Sequence, residues 1–145
     1  MIDTGALTDA LLAHLDAETS MLIGDGLAPL EGGWLKGQPN QAAFRPYAVL
    51  ICNGASPRDV VMTSSLPEWD VTWSLRCFGG SRKQVDWAAF EARKAVFGFV
   101  SSTFGNPSYK VYGLDWKQLG SVTRIDSVDP AFWQIFDTFT FACSK

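Results

Sequence analysis

The stretch most suggestive of chemistry is "CFGGSRKQ", residues 77–84, where two glycines stand before a serine and two cations. Up to Phe78 the residues alternate as a half-buried strand does, and after Gly80 they recur at helical spacing. A strand, a tight turn and a basic helix start could hold a phosphate, because the first N–H groups of a helix attract anions. A phosphate loop needs more than that: several convergent N–H groups and a positioned lysine, as GxxxxGK[ST] and GxGxxG supply. Neither pattern is present at this corner. Gly79 and Gly80 read better as a sharp strand-to-helix reversal. A small-ligand or nucleotide site over Gly79–Lys83 is the alternative use of the same residues.

Other reactive side chains lack partners. Ser64-Ser65 has no GxSxG context. Asp126 and Asp129 lie in a turn-like stretch, where carboxylates shape the backbone more often than they move protons. His14 is the single histidine and lies one step from a leucine stripe, so it reads as a surface or boundary residue. Cys52, Cys77 and Cys143 are isolated, odd in number and without a CxxC, and each falls in an apolar strand-like run. They read as buried free thiols, neither zinc ligands nor a disulfide framework. The expectation is a non-enzyme, with no catalytic, cofactor-binding or metal-binding residues.

Size and composition agree with a folded binding or structural subunit. A chain of 145 residues reads as one domain able to bury roughly 70% of its unfolded surface. It is 47% hydrophobic and 19% charged, with six Trp, ten Phe and three Tyr. Rings at that density supply a core, and they are also enriched where proteins meet. The net charge is −3 and no basic block stands out, which argues against a grip on nucleic-acid phosphates. The start, "MIDTGALTDALLAHLDAE", carries acids in place of a basic n-region, and no apolar run is long enough to span a membrane. Neither a signal peptide nor membrane insertion is expected, and the chain reads as cytosolic.

The elements that must position these residues follow from period and punctuation. Leu7, Leu11, Leu12 and Leu15 share a helix face, and Asp3 or Thr4 can cap it. "MLIGDG" (21–26) predicts a brief strand, and "LAPLEGGWLKGQPNQAAF" (27–44) a long loop with Trp34 in its middle. Phe44–Cys52 is apolar on both faces, as in a covered strand, with Pro46 at its start. Asn53-Gly54 has hairpin-turn chemistry, Ser56-Pro57 suits a longer connection instead, and Val60–Met62 predicts a small edge strand. The clearest element follows: Trp69, Val71, Trp73, Leu75 and Cys77 alternate with Asp70, Thr72, Ser74 and Arg76.

A helix over about 82–100 opens at Ser81 and Gln84, a capping-box spacing, with Val85, Ala88, Ala89, Ala92, Val96 and Phe99 as its apolar stripe. Trp87 and Phe90 widen that arc, toward the core or toward a neighbour. Gly98 and Gly105-Asn106-Pro107 mark its end. Strands over 109–116, 121–128 and 132–144 close the chain, the last interrupted by Asp137 on its apolar face. The predicted class is α+β: one mixed or mainly antiparallel sheet of about 4–5 strands packed against two α-helices.

The order of a leucine-bearing N-terminal helix, "RPYAVL" (45–50), "WSLRCFGGSRKQVDWAAFEARKAV" (73–96) and "RIDSVDPAFWQIFDTFTFAC" (124–143) resembles the tail terminator proteins of long-tailed bacteriophages, particularly of actinobacterial hosts. The likeness spans nearly the whole chain. It implies a virion protein, assembled in the host cytoplasm, whose copies form a ring, commonly a hexamer, on the head-proximal end of the tail tube. Such a ring stops tube polymerisation, docks the head–tail connector or neck protein, and leaves a hole for DNA. A neck or head-completion adaptor at the head–tail joint is the alternative within the same class.

An acidic subunit repeated in a ring would line a pore that repels DNA phosphates, so the duplex slides without sequence-specific binding. Ring closure requires one patch to meet a different patch on the next copy. Bulky rings and charges in or beside the predicted loops give the candidate assembly residues: Trp34 and Phe44 from the first loop, Arg58 and Asp59 from the second, and Arg82, Lys83 and Trp87 near the helix start.

Overall fold

Alternating sequence dominates the architecture more than the predicted class allows. The structure, a computed structural model, describes residues 2–34, 44–58, 68–105, 108–128 and 130–145. In chain order the elements are α1 (Thr4–Glu18), β1 (Leu22–Asp25), β2 (Gly33–Trp34), β3 (Phe44–Arg45), β4 (Tyr47–Pro57), β5 (Glu68–Gly79), α2 (Arg82–Gly98), β6 (Thr103–Phe104), β7 (Tyr109–Gln118), β8 (Thr123–Ile125) and β9 (Phe132–Ser144).

Seven of these strands form one curled sheet in the order β1-β4-β5-β9-β7-β6, with β8 pairing the start of β9 beside β7. β2 and β3 make a separate ribbon. Strands account for 48% of the described residues, so the protein is mostly β. The expectation of one sheet of about 4–5 strands against two helices is therefore corrected. The strands outside every predicted strand stretch are β2 and β6, of two residues each, too few to display an alternation, while β3 and β8 fall within the predicted 44–52 and 121–128.

All pairings in the main sheet are antiparallel except β1 with β4. The predicted strand over 44–52 is divided at Pro46, which cannot donate to a ladder, into β3 and β4. β4 then runs through Asn53-Gly54 without turning. Gly54 takes a φ of +125° where the register with β5 shifts between Cys52 and Gly54, so the pair forms a bulge and no hairpin. The predicted edge strand at Val60–Met62 lies outside the described residues, as do Ser64-Ser65, Asp129, Asn106-Pro107 and 35–43 of the long loop.

Both helices pack on one sheet face. Register puts Trp69, Val71, Trp73, Leu75 and Cys77 of β5 opposite Cys143, Phe141, Phe139, Asp137 and Ile135 of β9 on that face. Trp73, Phe139 and Phe141 are fully buried there, against Leu7, Leu11 and Leu15 of α1 and the alanine-rich stripe of α2. α1 begins at Asp3, whose carboxylate accepts the Ala6 N–H at 2.9 Å. His14 lies between the helices, its Nε2 2.8 Å from the Ala95 carbonyl and its ring 5.4 Å from that of Phe99.

The opposite face is mixed. Thr72 and Thr140 meet across β5 and β9 at 3.1 Å, and the Arg76 guanidinium lies 4.9 Å from the Phe136 ring centre.

Candidate assembly surfaces

The corner at Gly79–Gln84 is built as a joint, from residues that leave no room for side chains. A Cβ on Gly79 would lie 2.6 Å from the Val85 nitrogen, and one on Gly80 would collide with Phe44 Cβ. The chain can therefore turn from β5 into α2 at this spot only with glycines. Ser81 caps the helix, its Oγ accepting the Gln84 N–H at 3.1 Å. Gln84 does not return to the capping residue itself. Its Oε1 accepts the Gly80 N–H at 2.8 Å and its Nε2 donates to the Phe44 carbonyl at 2.9 Å, which ties β3 to the corner. The N–H groups of Gly80, Gln84 and Val85 are all bonded within the chain. Those are donors that a phosphate cradle would need free.

Trp34 and Phe44 face each other across the small ribbon, rings edge to face at 5.2 Å. A line of rings continues from Phe44 to Tyr47 at 6.1 Å, to Phe78 at 4.6 Å and to Phe132 at 5.8 Å. Phe44 is buried by its own chain, and Trp34 is half-buried against Phe44 and Gly80. Burial within the hydrophobic ring line also pushes the Tyr47 hydroxyl above its ordinary pKa. These two rings thus hold the corner together, and the exposed groups beside them are Arg82, Lys83 and Trp87. Five of the seven candidate residues converge at this end of the molecule.

Arg58 is at the other end of β4. Its Nε donates to Asp70 Oδ1 at 2.7 Å and its Nη1 to the Tyr112 hydroxyl at 2.8 Å, which in turn donates to Glu68 Oε2 at 3.1 Å. The bond to Asp70 foremost raises the Arg58 pKa, and the Tyr112 hydroxyl is raised by burial first and then by Glu68. A cleft of about 180 Å³ opens beside this network, floored by Gly113, Thr140 and Ala142. Asp59 lies outside the described residues.

The exposed side of α2 was only partly legible. Lys83, Trp87, Phe90, Lys94 and Phe97 recur at intervals of four and three, which at ~100° per residue makes one stripe opposite the buried alanines. Trp87 is 40%, Phe90 62% and Phe97 70% exposed. Phe97 and Lys94 belong to this ridge, and the spacing from Lys83 is the signal that marks them. Together these rings make an exposed apolar patch along one helix. No protein-family model matches this chain, and no curated protein matches it either.

Proposed function

We propose that this chain is a structural subunit of a phage tail: copies close into a ring on the head-proximal end of the tail tube, end its polymerisation and present a docking face to the head–tail connector. The observation that carries this reading is the ridge of Trp87, Phe90 and Phe97, three large rings exposed along one helix. Fully burying a large apolar side chain is worth roughly 1.5–3 kcal/mol, and these rings have 40–70% of their surface left to cover, so the ridge favours a protein neighbour over water. The resemblance through "RPYAVL", residues 73–96 and residues 124–143 supplies the class of neighbour. The glycine corner adds support, because the Gly80 and Gln84 N–H groups serve the fold and Arg82 and Lys83 are exposed at the end of the ridge. DNA passes through the ring without being gripped, and ring size follows the hexamer that the resemblance implies.

Tube protein polymerised with and without this chain, and imaged by electron microscopy, tests the reading. Tubes of limited length bearing a ring at one end are expected. Tubes of unlimited length with the chain in excess overturn it, and binding to the connector with no effect on tubes points to a neck adaptor instead.

A further inference from the structure

The ridge on α2 has a counterpart on the same chain. Residues 3–18 hold Asp3, Asp9, Asp16 and Glu18 and no lysine or arginine. They carry −4 of a net −3, so the remainder of the chain is net +1, the difference of the two. The rest of the chain nearly balances its charges, and this segment is a run of acids without a cation. On α1, Asp9, Ala13 and Asp16 are exposed and fall on one stripe, opposite the buried leucines. That stripe is shallow and acidic: one methyl between two carboxylates about 10 Å apart along the axis. The α2 ridge is tall and sets two lysines in line with its rings: Trp87 and Phe90 stand between Lys83 and Lys94, about 16 Å apart, with Phe97 beyond and Asp86 and Glu91 to the sides. Shape and charge are complementary, with flexible lysine stems able to span the difference in spacing.

From this we infer that the α2 ridge of one copy docks on the α1 stripe of a second copy, rings over Ala13 and lysines on Asp9 and Asp16. The two patches are different surfaces, as a closing ring requires. The inference rests on the proposed function only for ring closure, since the pairing of patches follows from their own chemistry. Both stripes face outward from the same helix layer, so the contact need not disturb the core. Charge draws the copies together and is screened by salt, while the rings supply the contact area.

The test uses the full chain and two variants, Lys83→Glu/Lys94→Glu and Asp9→Lys/Asp16→Lys, all at exposed positions, in sedimentation runs from micromolar to millimolar. Wild type is expected to self-associate, more weakly in high salt, and each variant alone to associate at least about ten-fold more weakly. An equimolar mixture of the two is expected to restore assembly, because each reversed ridge then meets a reversed stripe and copies alternate. Restoration also proves that both variants fold. Wild type monomeric throughout, variants that assemble like wild type, or a mixture that fails to recover would overturn the contact. A restored species of two copies only supports the contact as reciprocal and removes the ring. Larger closed species that fail to cap tubes support the contact and remove the capping role.

Discussion

Arg93 of α2 holds Asp137 of β9 with two parallel bonds, Nε to Oδ2 at 2.7 Å and Nη2 to Oδ1 at 2.8 Å, on a sheet face otherwise lined by apolar side chains. Asp137 also accepts the Gly120 N–H at 2.7 Å. A Cβ on Gly120 would strike the Phe136 carbonyl, so the connection between β7 and β8 can approach β9 only with glycine there. One carboxylate thus fastens a helix, a strand and a loop.

Removing the guanidinium leaves a carboxylate with 1% exposure and one remaining donor. Arg93→Ala is expected to cost about 3 kcal/mol, in the range measured when one partner of a buried pair is lost. Replacing both, as Arg93→Met with Asp137→Leu, is expected to cost less than the single change. Urea unfolding of wild type and the two variants checks the order, and a double variant weaker than Arg93→Ala would mean that Asp137 serves chiefly through Gly120.

The glycine corner yields a second prediction. Gly79→Ala and Gly80→Ala force a methyl into the helix backbone or into Phe44, and each is expected to cost about 1–3 kcal/mol, as overpacking does. Gln84→Ala, which unties the Gly80 N–H and the Phe44 carbonyl, is expected to cost about 1–2 kcal/mol. Thermal unfolding with and without phosphate separates a joint from an anion site. No shift of Tm with phosphate is expected, and a shift that Lys83→Ala removes would restore the anion reading.

How much of this was readable beforehand depends on range. The strand at 69–77 was plain because five apolar and four polar residues alternate without a break. The helix start at Ser81 was plain because capping is local. Asp137 was visible as an interruption, but Arg93 lies 44 residues away, and nothing local pairs them. Asn53-Gly54 has the same turn chemistry in a bulge as in a hairpin, and the pairing of β4 with β5 on both sides of it decides between them. As residues in or beside a predicted loop, Trp34 and Phe44 suit a partner surface or their own domain equally well. Their burial depends on Gly80, a neighbour that only the folded chain supplies.

The cysteines give a pH dependence. Burial, with Asp137 adding and Arg93 opposing, pushes the Cys77 thiol up to about 12, and burial with Asp70 does the same for Cys143. Both keep their protons in the folded state at pH values where the unfolded chain has lost them. Stability from each is therefore fully present below the ordinary thiol pKa, near 9, and is lost as pH rises toward 12, by about 1.4 kcal/mol per pH unit per thiol. Urea midpoints measured across that alkaline range are expected to fall, and to fall less in Cys77→Ala or Cys143→Ala. A disulfide-type thiol reagent at mildly alkaline pH is expected to label half-buried Cys52 in the native protein and to spare the other two until urea is added.

Arg58 and Arg82 lie at opposite ends of the sheet, and their reversal separates local folding from assembly. Arg58→Glu sets a carboxylate against Asp70 and Glu68 and takes one donor from the Tyr112 hydroxyl, all in a partly exposed network. A loss of about 1 kcal/mol or less is expected, as for an exposed pair. Arg82→Glu changes an exposed residue at the corner and is expected to leave stability within about 0.5 kcal/mol. With no shared partners, the double variant is expected to show the sum of the two. Assembly behaves differently: Arg82 flanks the α2 ridge, so its reversal is expected to weaken self-association at unchanged stability. Sedimentation and urea unfolding of the same four proteins check both halves, and reversed chains that assemble and join tails as wild type does would remove Arg58 and Arg82 from the contact surface.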